Sequence, residues 1–188
     1  MEKIDWIEAH LDTEKKPILV VDLDGSLLNC DTLIESIVAL FKIDPLKIFV
    51  SISELIRGKN HFKIFLSCFL LKTKWSLSIP YNKDVLDILE KAKMAGYQII
   101  LATGSSYLIA NQISKNTGLF DDIIATDEST NCIGYKKLFS LKTKIGNRKF
   151  IYFGNSKDDI PIWNDCVCGY VVQSVWFYNR LPNQLQKI

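Results

Sequence analysis
Pro17 to Leu28 reads PILVVDLDGSLL, and this stretch decides the fold. Ile18 to Val21 is a short run rich in β-branched residues, bounded by Pro17 and Gly25, which is the pattern of a strand buried on both faces of a parallel sheet. Asp22 and Asp24 follow where the run breaks into a turn, at the strand's carboxyl end. In open α/β sheets ligands bind outside the carboxyl ends of the strands, so the pair stands where chemistry normally happens. Two acids so close repel each other, and a hard cation such as Mg²⁺, which takes oxygen ligands, is the usual remedy. Gly25 frees the backbone to turn and approach an anion, and Ser26 adds a hydroxyl. An ordinary Asp-Gly turn with both acids solvated is the bland alternative for this stretch alone.

Outward from this strand the pattern alternates. Asp31 can cap a helix over Leu33, Ile34, Ile37, Val38 and Phe41, Asp44-Pro45 opens a second that ends at Gly58, and Asn60 can cap a third carrying Phe62, Phe65, Leu66, Phe69 and Leu70. Residues 33–79 therefore read as an all-helical cap, far longer than a usual strand-to-helix connection and suited to a lid or binding surface. After Pro80 come a helix from Lys83 to Ala95, a strand from Tyr97 to Ala102, a helix to Gly118, a strand at Ile123 to Ala125, a basic helix from Tyr135 to Lys144 and a strand at Phe150 to Phe153. Alternation of this kind predicts an α/β, doubly wound parallel sheet. Its core comprises 17–32 and 80–175, with an N-terminal helix over 1–16 and a tail over 176–188.

Two more polar turns fall at carboxyl ends, Thr103-Gly104-Ser105 and Gly154 to Asp159. Each has a job in phosphate chemistry, where accelerations up to about 10²¹ demand that nucleophile, metal and charge stabilisation act together. Asp22 would attack phosphorus to give an aspartyl-phosphate, and Asp24 would serve as acid and then base. Thr103 and the amides after it, Gly104 among them, would hold phosphoryl oxygens together with Gly25 and Ser26. Asn155 with Asp158 or Asp159 would complete a Mg²⁺ shell that also uses Asp22 and Asp24.

Composition excludes other classes. The chain has 188 residues, with 23 Lys and Arg against 21 Asp and Glu, so its net charge of +2 indicates no nucleic-acid partner. Five cysteines without CxxC spacing point to neither a disulfide framework nor a zinc site, and Cys30 is the one near the acidic pair. The only histidines, His10 and His61, lie away from the motifs, which weakens any His-based triad. The charged N-terminus lacks the apolar run of a signal peptide, so a cytoplasmic location is expected.

With its DxDG turn, strand-end threonine, acidic final turn and helical cap, the chain resembles the haloacid dehalogenase superfamily of aspartate-nucleophile phosphatases over roughly residues 17–173. More narrowly, SIPYNKDVLDILEKAKMAGYQIILATGSS, GLFDDIIATDESTN and FIYFGNSKDDIPIW are similar to the soluble domain that precedes UbiA-type prenyltransferases. The resemblance implies Asp22 as nucleophile, Asp24 as acid/base, Thr103 as phosphate ligand, and Asn155 and Asp159 as metal-side residues, with Mg²⁺ as cofactor and a lipid-linked or sugar phosphate as substrate. It also implies a lysine in an N-L-K-G stretch, where this chain reads Asn131-Cys132-Ile133-Gly134. Lys136 or Lys137, one helical turn on, could reach in instead, and the family pattern favours Lys137. A chain without such a cation would be a catalytically weak binding or regulatory module. No segment has the roughly 20 apolar residues of a membrane span. The apolar cap, with Lys42, Lys47, Arg57, Lys59, Lys63, Lys72 and Lys74 interspersed, could rest on a membrane surface. In the fused architecture a membrane-embedded transferase follows, whereas this chain ends in a short polar tail.

Overall fold
A computed structural model describes residues 16–73, 79–172 and 185–187. The decisive stretch forms β1 (Ile18–Val21), whose four side chains are wholly buried. It lies between β2 (Ile99–Ser106) and β4 (Phe150–Gly154) in a parallel sheet completed by β3 (Asp122–Thr126), β5 (Cys168–Val171) and β6 (Leu185–Lys187), in the order 3-2-1-4-5-6. The chain moves outward from β1 to β3, then returns to β4 on the other side of β1. Carboxyl ends that part at such a reversal leave a crevice between their connections. The doubly wound α/β sheet expected from the sequence is thus present.

Alternation along the strands divides the core in two. Leu19, Val21, Leu101 and Phe153 face one layer, and Ile18, Val20, Ile100, Phe150 and Tyr152 face the other. The first layer receives α4 (Lys83–Met94) and α5 (Tyr107–Thr117), while the second receives α6 (Gly134–Ile145) and the short α7 (Ile160–Trp163). The cap consists of α1 (Thr32–Ile43), α2 (Ile48–Arg57) and α3 (Lys59–Leu70), with a 3₁₀ turn at Pro45–Lys47. It packs on the first layer through Leu40, Leu66, Phe69 and Leu70. Asp31 caps α1 as expected, accepting from the amides of Leu33 and Ile34.

Three expectations need correction. Asn60 does not cap α3, which starts one residue earlier after Gly58; its side-chain amide instead donates to the carbonyls of Asp127 and Glu128, tying cap to core. The second strand runs on to Ser106 rather than stopping at Ala102, with a register shift against β3 where the polar turn bulges. The tail contributes a strand, because Leu185–Lys187 pairs with β5. The expected N-terminal helix lies outside the described residues apart from Lys16.

Candidate active site
The β1 ladder carries Asp22 into place: its amide donates to Phe153 O at 2.9 Å, and the chain then turns at Gly25 with φ +69°. A Cβ on Gly25 would lie 1.9 Å from Asn155 Nδ2, so only glycine lets the first and last turns meet. Asp22 is buried, and its Oδ1 accepts from Lys137 Nζ at 2.9 Å. Lys137 sits one turn into α6, fully inside the protein, and also donates to Asp159 Oδ1 at 2.9 Å and to the Tyr152 hydroxyl at 3.0 Å. That hydroxyl donates in turn to Asp159 Oδ1 at 2.6 Å. Asp159 Oδ2 accepts from the amides of Asn155 and Ser156 and from the Ser156 hydroxyl.

Two buried carboxylates thus share one ammonium, and their environments split them. Burial would raise Asp159, yet Lys137, Tyr152 and the turn amides hold it below the usual carboxylate range. Burial dominates at Asp22, which has fewer donors and two acidic neighbours, and pushes it up to about 7 despite the pull of Lys137. Burial alone would lower Lys137, but Asp159 and Asp22 keep it well above the ordinary lysine value, so it stays charged.

Asp24 faces the other wall. Its Oδ1 accepts from the Thr32 amide at 2.7 Å and its Oδ2 from the Ser105 hydroxyl, which also pairs with Thr32 Oγ1 at 2.6 Å. Burial raises its pKa against these bonds. Asp22, Asp24, Gly25, Gly104, Lys137, Asn155 and Asp158 all line one cavity of about 490 Å³ roofed by α1 and α3.

Other expected site residues stand elsewhere. Thr103 is buried behind the wall, where its hydroxyl accepts from the Ser105 amide at 3.0 Å; the turn that it braces, rather than its own oxygen, faces the cavity. Ser26 is buried off the wall. Lys136 is exposed, because the residue before Lys137 points some 100° away around the helix. Asp159 is a poor metal ligand, since its oxygens are taken up by Lys137, Tyr152 and its own turn. The Cys30 thiol, on the cavity lining, is pushed up to about 12 by burial and neighbouring acids, which disfavours its thiolate.

Sequence reading missed Tyr152 and Ser105, and it counted Lys63 only among the surface cations of the cap. FIYFG looked like a plain buried strand, and nothing in that string marks a hydroxyl facing a lysine. Lys63 could have been found from spacing: Asn60, Lys63 and Ser67 form a polar stripe at i, i+3 and i+7 along a helix whose second half is mostly apolar.

Among the described residues no group of three or more His, Cys, Asp or Glu forms a metal cluster. Mg²⁺ needs fewer, being held by one or two carboxylates together with water and phosphate oxygens. Asp22, Asp158 and the Asn155 amide oxygen, all hard donors on the cavity wall, fit such an ion.

No protein-family model matches the chain. The uncharacterized protein y4nM of Sinorhizobium fredii (strain NBRC 101917 / NGR234) is 30% identical over 150 residues, which is 80% of this chain and 28% of that protein. The chain therefore spans little more than a quarter of this curated relative. Among solved structures, a protein of unknown function from Bordetella pertussis Tohama I matches with a TM-score of 0.67 at 15% identity, over 87% of this chain and 93% of that one. Phosphoserine phosphatase in its apo form matches with a TM-score of 0.61 at 13% identity, over 91% of this chain and 93% of that one. The fold is that of the haloacid dehalogenase-type phosphatases.

Proposed function
We propose that the chain is a Mg²⁺-dependent phosphomonoester hydrolase that acts through an aspartyl-phosphate on Asp22. The observation that carries this reading is the distribution of carboxylate oxygens. Asp159 and Asp24 have both oxygens bonded, whereas Asp22 is bonded through Oδ1 alone among the described residues and presents Oδ2 at the cavity. Asp22 Oδ2 attacks phosphorus as the bond to the leaving oxygen breaks, and Asp24, raised by burial, gives that oxygen its proton. Water then attacks phosphorus, Asp24 takes back a proton, and the bond to Asp22 breaks to release phosphate. Lys137 holds Asp22 in position and offsets charge on the phosphoryl group. Mg²⁺ held by Asp22, Asn155 and Asp158 would neutralise phosphoryl oxygens.

A cavity of this size, walled by Ser36, Ser67, Ser105 and Ser106, suits a small polar phosphate or the phosphate head of a longer molecule, so sugar phosphates and lipid-linked phosphates both belong to the proposal. So does the narrower resemblance to domains that precede prenyltransferases. Purified protein should release phosphate from p-nitrophenyl phosphate with Mg²⁺ and not with EDTA. Asp22→Asn should abolish the release, and turnover that survives it sinks the mechanism.

One observation favours a second reading, a binding module at a membrane surface. Leu46, Phe49 and Ile56 of the cap are 75%, 72% and 84% exposed, although no described helix is long and apolar enough to cross a membrane. Flotation with vesicles containing anionic lipid tests it, and absence of binding removes it.

A further inference from the structure
Lys63 stands on the cavity wall with no part in the reaction above. The stripe on α3 docks the cap to the core at three points: Asn60 on the carbonyls of Asp127 and Glu128, Lys63 Nζ on Gly104 O at 2.7 Å and Asn131 Oδ1 at 2.9 Å, and Ser67 Oγ on Ser106 Oγ at 2.6 Å. Asn60 and Ser67 are neutral, so neutral partners suffice for them. Lys63 is different. A partly buried ammonium whose bonded acceptors are a backbone carbonyl and an amide oxygen has its charge uncompensated at contact distance, and it has used two of its three N–H groups.

Its place on the wall is specific. A Cβ on Gly104 would lie 2.8 Å from Ile133 Cγ2 and 3.8 Å from Lys63 Nζ, so the ammonium and the Ile133 side chain both crowd the same backbone position. That position belongs to the Thr103–Ser105 turn, whose Ser105 hydroxyl is bonded to Asp24. Lys137, the other cation of the cavity, already serves two carboxylates.

We infer that Lys63 is a phosphoryl-binding residue supplied by the cap, donating its third N–H to a non-bridging oxygen of a phosphomonoester or of free phosphate at the Gly104 turn. The inference rests on the proposed phosphatase reading and deepens it, since the phosphate site is then complete only with α3 seated on the core.

The test is calorimetric titration of inorganic phosphate into the full chain with Mg²⁺. A hydrogen bond to a charged group contributes about 1.5–3 kcal/mol, so Lys63→Met should weaken phosphate binding by roughly 10- to 150-fold. Lys63→Gln, one atom shorter but still carrying an N–H donor and no charge, should lose as much and guards against misfolding of the first variant. Ile133→Lys added to Lys63→Met, which brings an ammonium back beside the Gly104 turn, should recover at least about tenfold. Lys59→Met, which removes an exposed charge from the same helix without touching its docking contacts, should leave affinity within about threefold. The inference is overturned if Lys63→Gln binds phosphate as the wild type does, if Lys59→Met costs as much, if the double variant recovers nothing, or if the wild type binds no phosphate. Lys63-dependent phosphate binding without ester turnover leaves it standing and refutes only the hydrolase reading.

Discussion

Replacing Lys137 by Met tests the centre of the site most directly. The substitution keeps length and apolar stem while deleting the ammonium that stands 2.9 Å from both Asp22 Oδ1 and Asp159 Oδ1. Removing one partner of a buried ion pair typically costs about 3–5 kcal/mol, because an uncompensated charge remains. For a chain of this size each kcal/mol shifts Tm by roughly 2–4 °C, so a fall of about 6–20 °C is expected. The sign of its pH dependence follows from Asp159. In the wild type, burial would raise that carboxyl, but Lys137 and its other donors hold it low, so it contributes stability above its unfolded value and loses it as pH falls. Without Lys137, burial prevails, the folded-state value moves above the unfolded one, and the contribution is instead lost as pH rises. The gap between the two proteins should therefore widen from pH 5 to pH 8 in scanning calorimetry. Lys136→Met, at an exposed position, should stay within about 0.5 kcal/mol. A Lys137→Met gap below about 2 °C, or one that does not grow with pH, refutes the reasoning.

Tyr152→Phe removes the hydroxyl bonded to Lys137 at 3.0 Å and to Asp159 at 2.6 Å, and should cost about 1–3 kcal/mol in urea unfolding while leaving KM unchanged. Asp22 stands at about 7 in the folded chain against 3.8 for the free group, so in EDTA its contribution is present at low pH and lost as pH rises from about 4 to about 7. Asp22→Asn keeps an oxygen for Lys137 and carries no charge; it should flatten that window and gain at most about 4 kcal/mol over wild type at pH 8, measured by urea unfolding at pH 5 and pH 8.

The parts of the site that were legible in the sequence are those fixed by local pattern. An apolar run ending in DxDG places Asp22 and Asp24 at a strand end whatever the rest of the chain does, whereas helical spacing left Lys136 and Lys137 both open and the family pattern alone favoured Lys137. Residues whose role depends on side-chain direction were harder. Thr103 and Ser105 are two apart across a bulge, and only the bulge decides that Ser105 reaches Asp24 while Thr103 supports the turn from behind. Asp158 and Asp159 are adjacent acids, and the capping box at Ser156 sends Asp159 inward to Lys137 and leaves Asp158 on the cavity wall. Lys63 was misjudged because a lysine on an amphipathic cap reads as a solvated charge until the helix is docked.

The division of labour between Asp22 and Asp159 also bears on how a buried carboxylate can serve as a nucleophile. A carboxylate satisfied on both oxygens is stable but a poor nucleophile, and one without a cation in a buried site is protonated and equally poor. Asp159 is in the first condition, bonded to Lys137, the Tyr152 hydroxyl and two turn amides. Its charge keeps the lysine cationic, and the one bond from Lys137 to Oδ1 draws Asp22 only part of the way back from the second condition, to about 7. With Asp22 near 7, the gain from any additional positive charge at Oδ2 is large, because both phosphate binding at the Gly104 turn and ionisation of the nucleophile draw on the same local field. A second cation in the cavity therefore acts on the reaction twice, through the substrate it holds and through Asp24, the carboxylate whose charge it feels most. This is why the charge on Lys63, and not only the seating of its helix, should decide how well the aspartate pair works.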